Sequence, residues 1–183
     1  MNSDIERGVI GGLDGEHRLR AAEDRLALLD IEGIYGYLYD SKQGSAWAAL
    51  FTEDGIYQGR QLPGMPPQNF IQGRENLERF CVREPLSGLH TMHAPHITLN
   101  GDEATCRVHF QFEASAVDEF RRSRSRFASG YYDVAYVRTP EGWKIRRRVT
   151  TYLETVFRTV YNYEPTPADL ESIDADVKYG DQR

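Results

Sequence analysis

The chain has 183 residues and a formal net charge of −6 at neutral pH. This length is enough for one domain with a hydrophobic core and short for two. Its composition, 40% hydrophobic and 27% charged, is ordinary for a globular protein, and the acidic balance argues against a nucleic-acid-binding surface. We find no apolar run long enough to span a membrane and no signal-peptide pattern, and we therefore expect a cytoplasmic protein.

Neither the cysteines nor the histidines have the spacing of a metal site. Cys81 and Cys106 lack a zinc or disulfide pattern, and we expect both to be small buried residues. His90, His93 and His96 stand three residues apart, but on a strand His93 would point away from the other two. We expect neither a metal nor a cofactor.

The first half of the chain is predicted to contain three helices. Residues 1–18 carry glycines and charges without an apolar period, which predicts a flexible arm. From Leu19 to about Tyr39, apolar residues recur at helical spacing, and Gly44 is available for a left-handed cap after the helix ends. Shorter helices are predicted from Ser45 to Phe51 and from Gly73 to Val82.

The second half alternates apolar and polar residues with a period of two, which is typical of strands. A proline-rich loop, 61–68, and a polar tail, 158–183, lie outside these elements. Strands are predicted at 55–59, 90–99, 104–116 and 131–156, the last being a long hairpin, with a tight turn at Asn100-Gly101. Helices followed by strands predict an α+β fold with the helices on one side of a curved antiparallel sheet. The predicted domain is 19–157.

Two arginine-rich segments have different predicted roles. Arg121 to Arg126 is interpreted as a solvated loop. The segment Arg146 to Arg148 lies in a predicted strand, where successive side chains point to opposite faces of the sheet. Its three charges are therefore divided between the two faces, and Arg147 is predicted to lie on the same face as Trp143. One inward arginine could pair with a strand carboxylate, either Glu113 or Asp133.

Several short motifs occur together in a characteristic order. They are Ile34-Tyr35, Tyr39-Asp40, the segment Trp47 to Gly55 (WAALFTEDG), Gly73-Arg74-Glu75, His90 ahead of Gly101-Asp102-Glu103-Ala104, Tyr132-Asp133, Val137-Arg138 and Gly142 to Ile145 (GWKI). This set resembles the SnoaL-like branch of the nuclear transport factor 2-like (NTF2-like) superfamily over about Ala21 to Val156. The resemblance implies a cone-shaped fold in which helices close a curved sheet around a pocket. It implies no single activity, because this fold carries many.

The resemblance to the scytalone dehydratase-like and dehydrochlorinase-like members implies catalytic roles for Asp40, His90 and Tyr39. In those members a histidine takes a proton from carbon while an aspartate orients it. The chemistry is sound independently, since a carboxylate bonded to one imidazole nitrogen fixes the tautomer and stabilises the cation. The structural alternative is that Asp40 only ends its helix and that His90 is a polar residue at a strand end.

Five further residues are predicted to bind a substrate: Tyr35, Tyr57, His93, Phe112 and Trp143. A phenol in an apolar cavity can stabilise negative charge that develops on a substrate oxygen. Tyr35 matches the oxyanion tyrosine of ketosteroid isomerase, but the position of that enzyme's aspartate base is Gly59 here. Steroid isomerisation by its mechanism is therefore disfavoured. Each tyrosine could instead be a core aromatic whose hydroxyl is satisfied by a neighbour.

Taken together, these residues predict a cofactor-free lyase or isomerase, of the dehydratase or cyclase type, for a small, apolar, oxygenated molecule such as a polyketide intermediate. Two alternatives remain open at this point: a non-catalytic ligand-binding or assembly module, and the small subunit of a ring-hydroxylating oxygenase. The resemblance also implies a homodimer or higher homo-oligomer. No nucleic-acid or membrane partner is expected.

Overall fold

The computed structural model describes residues 15–60, 62–83, 87–117 and 122–161. Within these ranges the chain forms three helices and a seven-stranded curved sheet. The helices are α1 (Gly15–Asp40), α2 (Gly44–Ala48) and α3 (Arg74–Arg83); the strands are β1 (Phe51–Arg60), β2 (Gln68–Gln72), β3 (Ser87–Met92), β4 (His96–Asn100), β5 (Glu103–Val117), β6 (Arg122–Thr139) and β7 (Gly142–Tyr161). None of the described helices is long and apolar enough to cross a membrane.

The predicted α+β fold is confirmed, with a mixed sheet in place of a wholly antiparallel one. The strand order is β2-β1-β7-β6-β5-β3, and β4 also pairs with β5. β1 runs parallel to β7, while every other described pair is antiparallel. A parallel pair needs a long connection, and the chain between β1 and β7 provides one through α3 and five strands.

Most predicted strands are present, with altered ends. A tight turn is present where it was predicted, although its two residues are Gly101 and Asp102, because Asn100 still pairs with Glu103; Gly101 has a positive φ of 62°. The predicted strand 90–99 is divided into β3 and β4 around Pro95, which cannot donate a ladder hydrogen bond. The prediction of a loop through Arg126 is wrong, since β6 begins at Arg122. Strand β2 was not predicted.

The ends of the domain also differ from the predicted bounds. Helix α1 begins at Gly15, so the last residues of the predicted arm are helical, and residues 1–14 lie outside the described part of the chain. Strand β7 reaches Tyr161, and the rest of the predicted tail is likewise outside it. After α1, the left-handed residue is Lys42, with φ of 58°, and not Gly44.

The core lies between the helices and the inner face of the sheet. Leu28, Trp47, Phe51, Leu77 and Ile145 are fully buried there. The even-numbered side chains of β5 from 106 to 112 point inward and the odd-numbered ones from 107 to 113 are exposed, in agreement with the period of two in the sequence. The exposed set forms the outer surface of the sheet, which the sequence left undecided.

Both cysteines are buried, as predicted. Burial raises the pKa of Cys81 to about 11 and that of Cys106 to about 12. Neither thiol therefore supplies a thiolate nucleophile at neutral pH, and both act as small apolar residues of the core.

A β-bulge decides which arginine of β7 faces inward. Tyr136 pairs with Ile145, but Ala135 pairs with Arg147, so Arg146 is an extra residue that reverses the alternation. Arg148 is consequently buried and Arg147 exposed. The predicted pairing is corrected accordingly: the inward arginine is Arg148, and its carboxylate partner comes from α1.

Candidate active site

Asp40 and His90 form a closely held pair. One carboxylate oxygen of Asp40, Oδ1, lies 2.6 Å from His90 Nδ1, and the other, Oδ2, accepts a 2.7 Å hydrogen bond from the His90 backbone N–H. The side chain of His90 is only 7% exposed and that of Asp40 14%. Because Asp40 engages Nδ1, the ring presents Nε2 as the nitrogen available to another molecule.

Two elements that are distant in sequence create this contact. Asp40 is the last residue of α1, and His90 lies in β3, which crosses the end of that helix. Gly36, one turn before Asp40, allows the close approach: a Cβ there would lie 3.1 Å from the Cβ of His90. A larger residue at position 36 would push β3 away from α1.

His90 also lines a small cavity inside the cone. The cavity has a volume of about 210 Å³ and is walled mainly by aromatic rings. Its lining residues are Tyr35, Tyr39, Tyr57, Gly59, Phe80, His90, Phe110, Phe112, Arg126, Tyr132 and Tyr152. A single-ring or compact two-ring molecule matches this volume, since a cavity of about 150 Å³ already holds benzene. No group of histidine, cysteine and carboxylate side chains placed to hold a metal occurs among the described residues.

Two tyrosines of α1 lie beside the histidine. Tyr35 and Tyr39 are four residues apart and therefore share a helix face. Their rings meet that of His90 edge-on, with centroids 6.5 Å and 5.3 Å away. Burial raises the pKa of Tyr35, which consequently stays a neutral phenol able to donate a hydrogen bond.

A buried ion pair packs against Tyr35 and Tyr132, two tyrosines of the cavity wall. Arg148 makes two hydrogen bonds with the Glu32 carboxylate, of 2.7 Å and 3.0 Å, and Tyr136 donates a third to the same group. The guanidinium lies between the rings of Tyr35 and Tyr132, 3.7 Å and 3.9 Å from their centroids. Its charge lowers the pKa of Tyr35 and so offsets part of the effect of burial. The ion pair thus fixes the ring of Tyr35 and favours it as a hydrogen-bond donor.

The structure places the other predicted binding residues in different surroundings. Phe112 and Tyr57 line the cavity, and the Tyr57 hydroxyl accepts a 2.9 Å hydrogen bond from Thr150 Oγ1. His93 is exposed in the segment between β3 and β4, where its backbone N–H donates to the His109 carbonyl of β5. Trp143 packs at the other end of β7, where its ring nitrogen donates to Asp24. His93 and Trp143 therefore lie outside the cavity.

Several lining residues were missed by sequence reasoning. Tyr132 belongs to the set of alternate residues of β6 that point inward, and the alternation of this strand was visible in the sequence. Tyr152 comes after the bulge in β7, which changes the residues that point inward from odd-numbered to even-numbered. Arg126 was missed because its segment was interpreted as a loop. Arg126 is an even number of residues from Ala128 and Tyr132, which are buried, so it lies on the same face of β6. A strand predicted to begin before Arg126 would have placed its side chain inside the cone.

The family model described as a SnoaL-like domain matches residues 20–149. The chain belongs to the SnoaL-like family. An uncharacterized protein of Mycobacterium tuberculosis is 29% identical over 129 residues, covering 70% of this chain and 84% of that protein.

Solved structures of this SnoaL-like chain's relatives agree in fold. An NTF2-like protein with a cystatin-like fold from Novosphingobium aromaticivorans is 25% identical, with a TM-score of 0.58 over 78% of this chain and 93% of that one. A type 2 hexachlorocyclohexane dehydrochlorinase is 15% identical, with a TM-score of 0.65 over 81% and 98%. The likeness to the dehydrochlorinase shows the fold alone.

Proposed function

We propose that this SnoaL-like protein is a cofactor-free lyase or isomerase in which His90 is the general base. The observation that carries the proposal is that Asp40 contacts His90 twice, at the imidazole Nδ1 and at the backbone N–H, and that this histidine lies in the wall of an aromatic cavity. A helix-ending aspartate does not require a buried histidine as its partner. The same arrangement orients a base and stabilises its protonated form.

The geometry suggests an order of events. His90 removes a proton from a carbon next to a carbonyl, and the electron pair moves onto the carbonyl oxygen. Tyr39 and Tyr35 supply hydrogen bonds to that oxygen, where charge develops. In the lyase outcome the enolate forms a carbon–carbon double bond and expels an oxygen substituent from the next carbon, which takes the proton from the His90 imidazolium and leaves as water or an alcohol. In the isomerase outcome the imidazolium returns the proton to another carbon of the enolate. The dehydrochlorinase of similar fold is named for an elimination, and this agrees with the lyase outcome.

Base catalysis can be tested without knowing the substrate. Small ketones such as 1-indanone and 2-cyclohexen-1-one are suitable in size for a cavity of about 210 Å³, and exchange of their α-protons in D₂O can be followed by proton NMR. We expect the protein to accelerate exchange, and His90→Ala to reduce the rate constant by about 100-fold or more, the usual contribution of a general base. Asp40→Asn should reduce it less, because the imidazole remains.

His109→Ala is the matched control, since His109 is an exposed histidine on the outer face of β5. It should leave the exchange rate unchanged, and all variants should keep the thermal unfolding midpoint within a few degrees. Equal exchange rates for His90→Ala and the unaltered protein would contradict the proposal. Ketone binding without any exchange would favour a non-catalytic binding module.

A further inference from the structure

Two tyrosine hydroxyls in the cavity wall have no hydrogen-bond partner within the described part of the chain. They belong to Tyr35 and Tyr132, which are only 2% and 3% exposed. The hydroxyl of Tyr57, by contrast, accepts a bond from Thr150. Neither free hydroxyl is among the enclosed, unpartnered polar atoms of the described residues, so both reach the open space of the cavity. Because buried polar groups are normally hydrogen-bonded, a molecule in the cavity is the natural partner of both.

The two phenols also share one electrostatic setting. The guanidinium carbon of Arg148 is 3.7 Å from the Tyr35 ring centroid and 3.9 Å from that of Tyr132. Burial raises the pKa of Tyr132 well above its usual value, as it does that of Tyr35, while the guanidinium opposes this rise in both. The Glu32 carboxylate offsets part of that opposing effect on Tyr35. Both phenols therefore stay neutral and can donate a hydrogen bond.

Tyr132 lies within reach of a molecule that also contacts His90. The ring of Tyr35 is 6.5 Å from that of His90 and 5.8 Å from that of Tyr132, between centroids. The ring of Phe110 stacks on Tyr132 at 4.3 Å and lies 6.4 Å from the imidazole. A cyclic ketone that rests on Phe110 would place a carbon near His90 and its oxygen near the two phenols.

We propose that Tyr132 is a catalytic residue whose hydroxyl, together with that of Tyr35, donates a hydrogen bond to the substrate oxygen on which negative charge develops. This proposal rests on the proposed function for the proton-transfer step and adds a donor from β6 to those of α1. A carbonyl oxygen has two lone pairs, so one oxygen accepts both bonds at once.

Tyr132→Phe removes the hydroxyl and keeps the ring that packs on Phe110 and Arg148. In the exchange assay with 1-indanone, we expect it to lower the rate constant by about 100-fold, the usual loss when one oxyanion donor is removed. The dissociation constant of the ketone, from an NMR titration, should change by less than about tenfold, because the bond is strongest to the charged oxygen of the transition state. A purely structural role would weaken binding and exchange together.

Tyr131→Phe is the matched control. Tyr131 is the neighbouring tyrosine on the outer face of β6, where the Arg107 guanidinium packs on its ring. The control should leave both values unchanged, and near-ultraviolet circular dichroism should report a native fold for each variant. An exchange rate in Tyr132→Phe equal to that of the unaltered protein would overturn the proposal.

A second probe separates this proposal from that of the general base. The oxygen of 4-nitrophenol becomes negative without proton abstraction from carbon, and the absorbance of its phenolate reports the change. In His90→Ala, which lacks the base, we expect the bound probe to have a lower pKa than the free probe, and added Tyr132→Phe to raise it again. A bound-probe pKa that does not depend on Tyr132 would overturn the oxyanion role. Absence of exchange in the unaltered protein, with this dependence intact, would reject the general base alone.

Discussion

Arg148 is a fully buried charged residue whose ion pair bears on stability. Its side chain is 0% exposed and that of its partner Glu32 is 3% exposed. Burial lowers the pKa of Arg148, but the adjacent Glu32 carboxylate more than compensates, so the guanidinium stays charged. Two buried charges gain little in total over apolar residues, yet each is costly without the other.

At the residue scale we therefore predict an asymmetric set of variants. Arg148→Met should lower the free energy of unfolding by about 3–5 kcal/mol, because Glu32 is left as a buried, unpaired carboxylate. Combining it with Glu32→Leu and Tyr136→Phe, which removes the hydroxyl that bonds Glu32, should recover most of the loss. Urea unfolding followed by circular dichroism measures both values. A triple variant less stable than the single one would contradict this account of the pair.

Helix α1 is fastened to the sheet at its other end by Asp24. Arg138 Nη2 donates to Asp24 Oδ2 at 2.6 Å, and Trp143 Nε1 donates to Oδ1 at 3.0 Å. Arg138 also donates to exposed Asp102 at 2.9 Å and stacks on the Trp143 ring. This contact holds the helix against the β6–β7 turn and explains why Trp143 is unavailable to a ligand.

At the element scale we predict that this contact weakens in acid. Burial raises the pKa of Asp24, but the hydrogen bonds from Arg138 and Trp143 outweigh it, so the pKa in the folded protein lies below its ordinary value. A depressed carboxylate pKa stabilises the fold above about pH 4, and the stabilisation is lost as the pH falls through the folded-state value.

Asp24→Asn should consequently lower the free energy of unfolding at pH 7 by about 1.5–3 kcal/mol, the range for hydrogen bonds to charged groups. The difference from the unaltered protein should shrink as the pH is lowered below about 4. Asp102→Asn is the control and should have a smaller effect, because Asp102 is 69% exposed. A cost of Asp24→Asn that does not vary between pH 7 and pH 3 would argue against a charged contact.

Across the whole molecule, one continuous core joins the helices to the sheet. It extends from Leu28 in α1 through Trp47 in α2 and Leu77 in α3 to Ile145 in β7. The two tryptophans occupy opposite parts of it: Trp47 packs among Tyr35, Tyr39 and Phe51, whereas Trp143 lies at the α1 contact. A single core of this kind unfolds cooperatively.

At this scale we predict one unfolding transition. Trp143→Phe leaves Trp47 as the fluorescent reporter of the helical layer, and its denaturation midpoint should coincide with that from far-ultraviolet circular dichroism, which is dominated by the sheet and α1. Separate midpoints would show that the helices and the sheet unfold independently. A chain that folds only beside a larger partner would instead support the oxygenase-subunit alternative.

The sequence alone determined the helices, the β6–β7 hairpin, the turn after Asn100 and the alternation of side chains along β5. These follow from periodicity and turn chemistry, which act between near neighbours in the chain. It also picked out Asp40 and His90, through motifs that resemble those of the family. Their roles as a catalytic pair stay a prediction until turnover is measured.

Only the tertiary structure decided which side chains share the cavity. The bulge at Arg146 turns Arg148 inward in place of Arg147, because one extra residue reverses the facing of the side chains that follow it up to the next bulge, and it leaves no signal in the composition. Likewise, Arg126 belongs to the cavity because β6 begins earlier than its polar sequence indicates, and Trp143 does not because Asp24 holds its ring nitrogen. Contacts between distant segments depend on strand register and close packing, which a one-dimensional pattern does not contain.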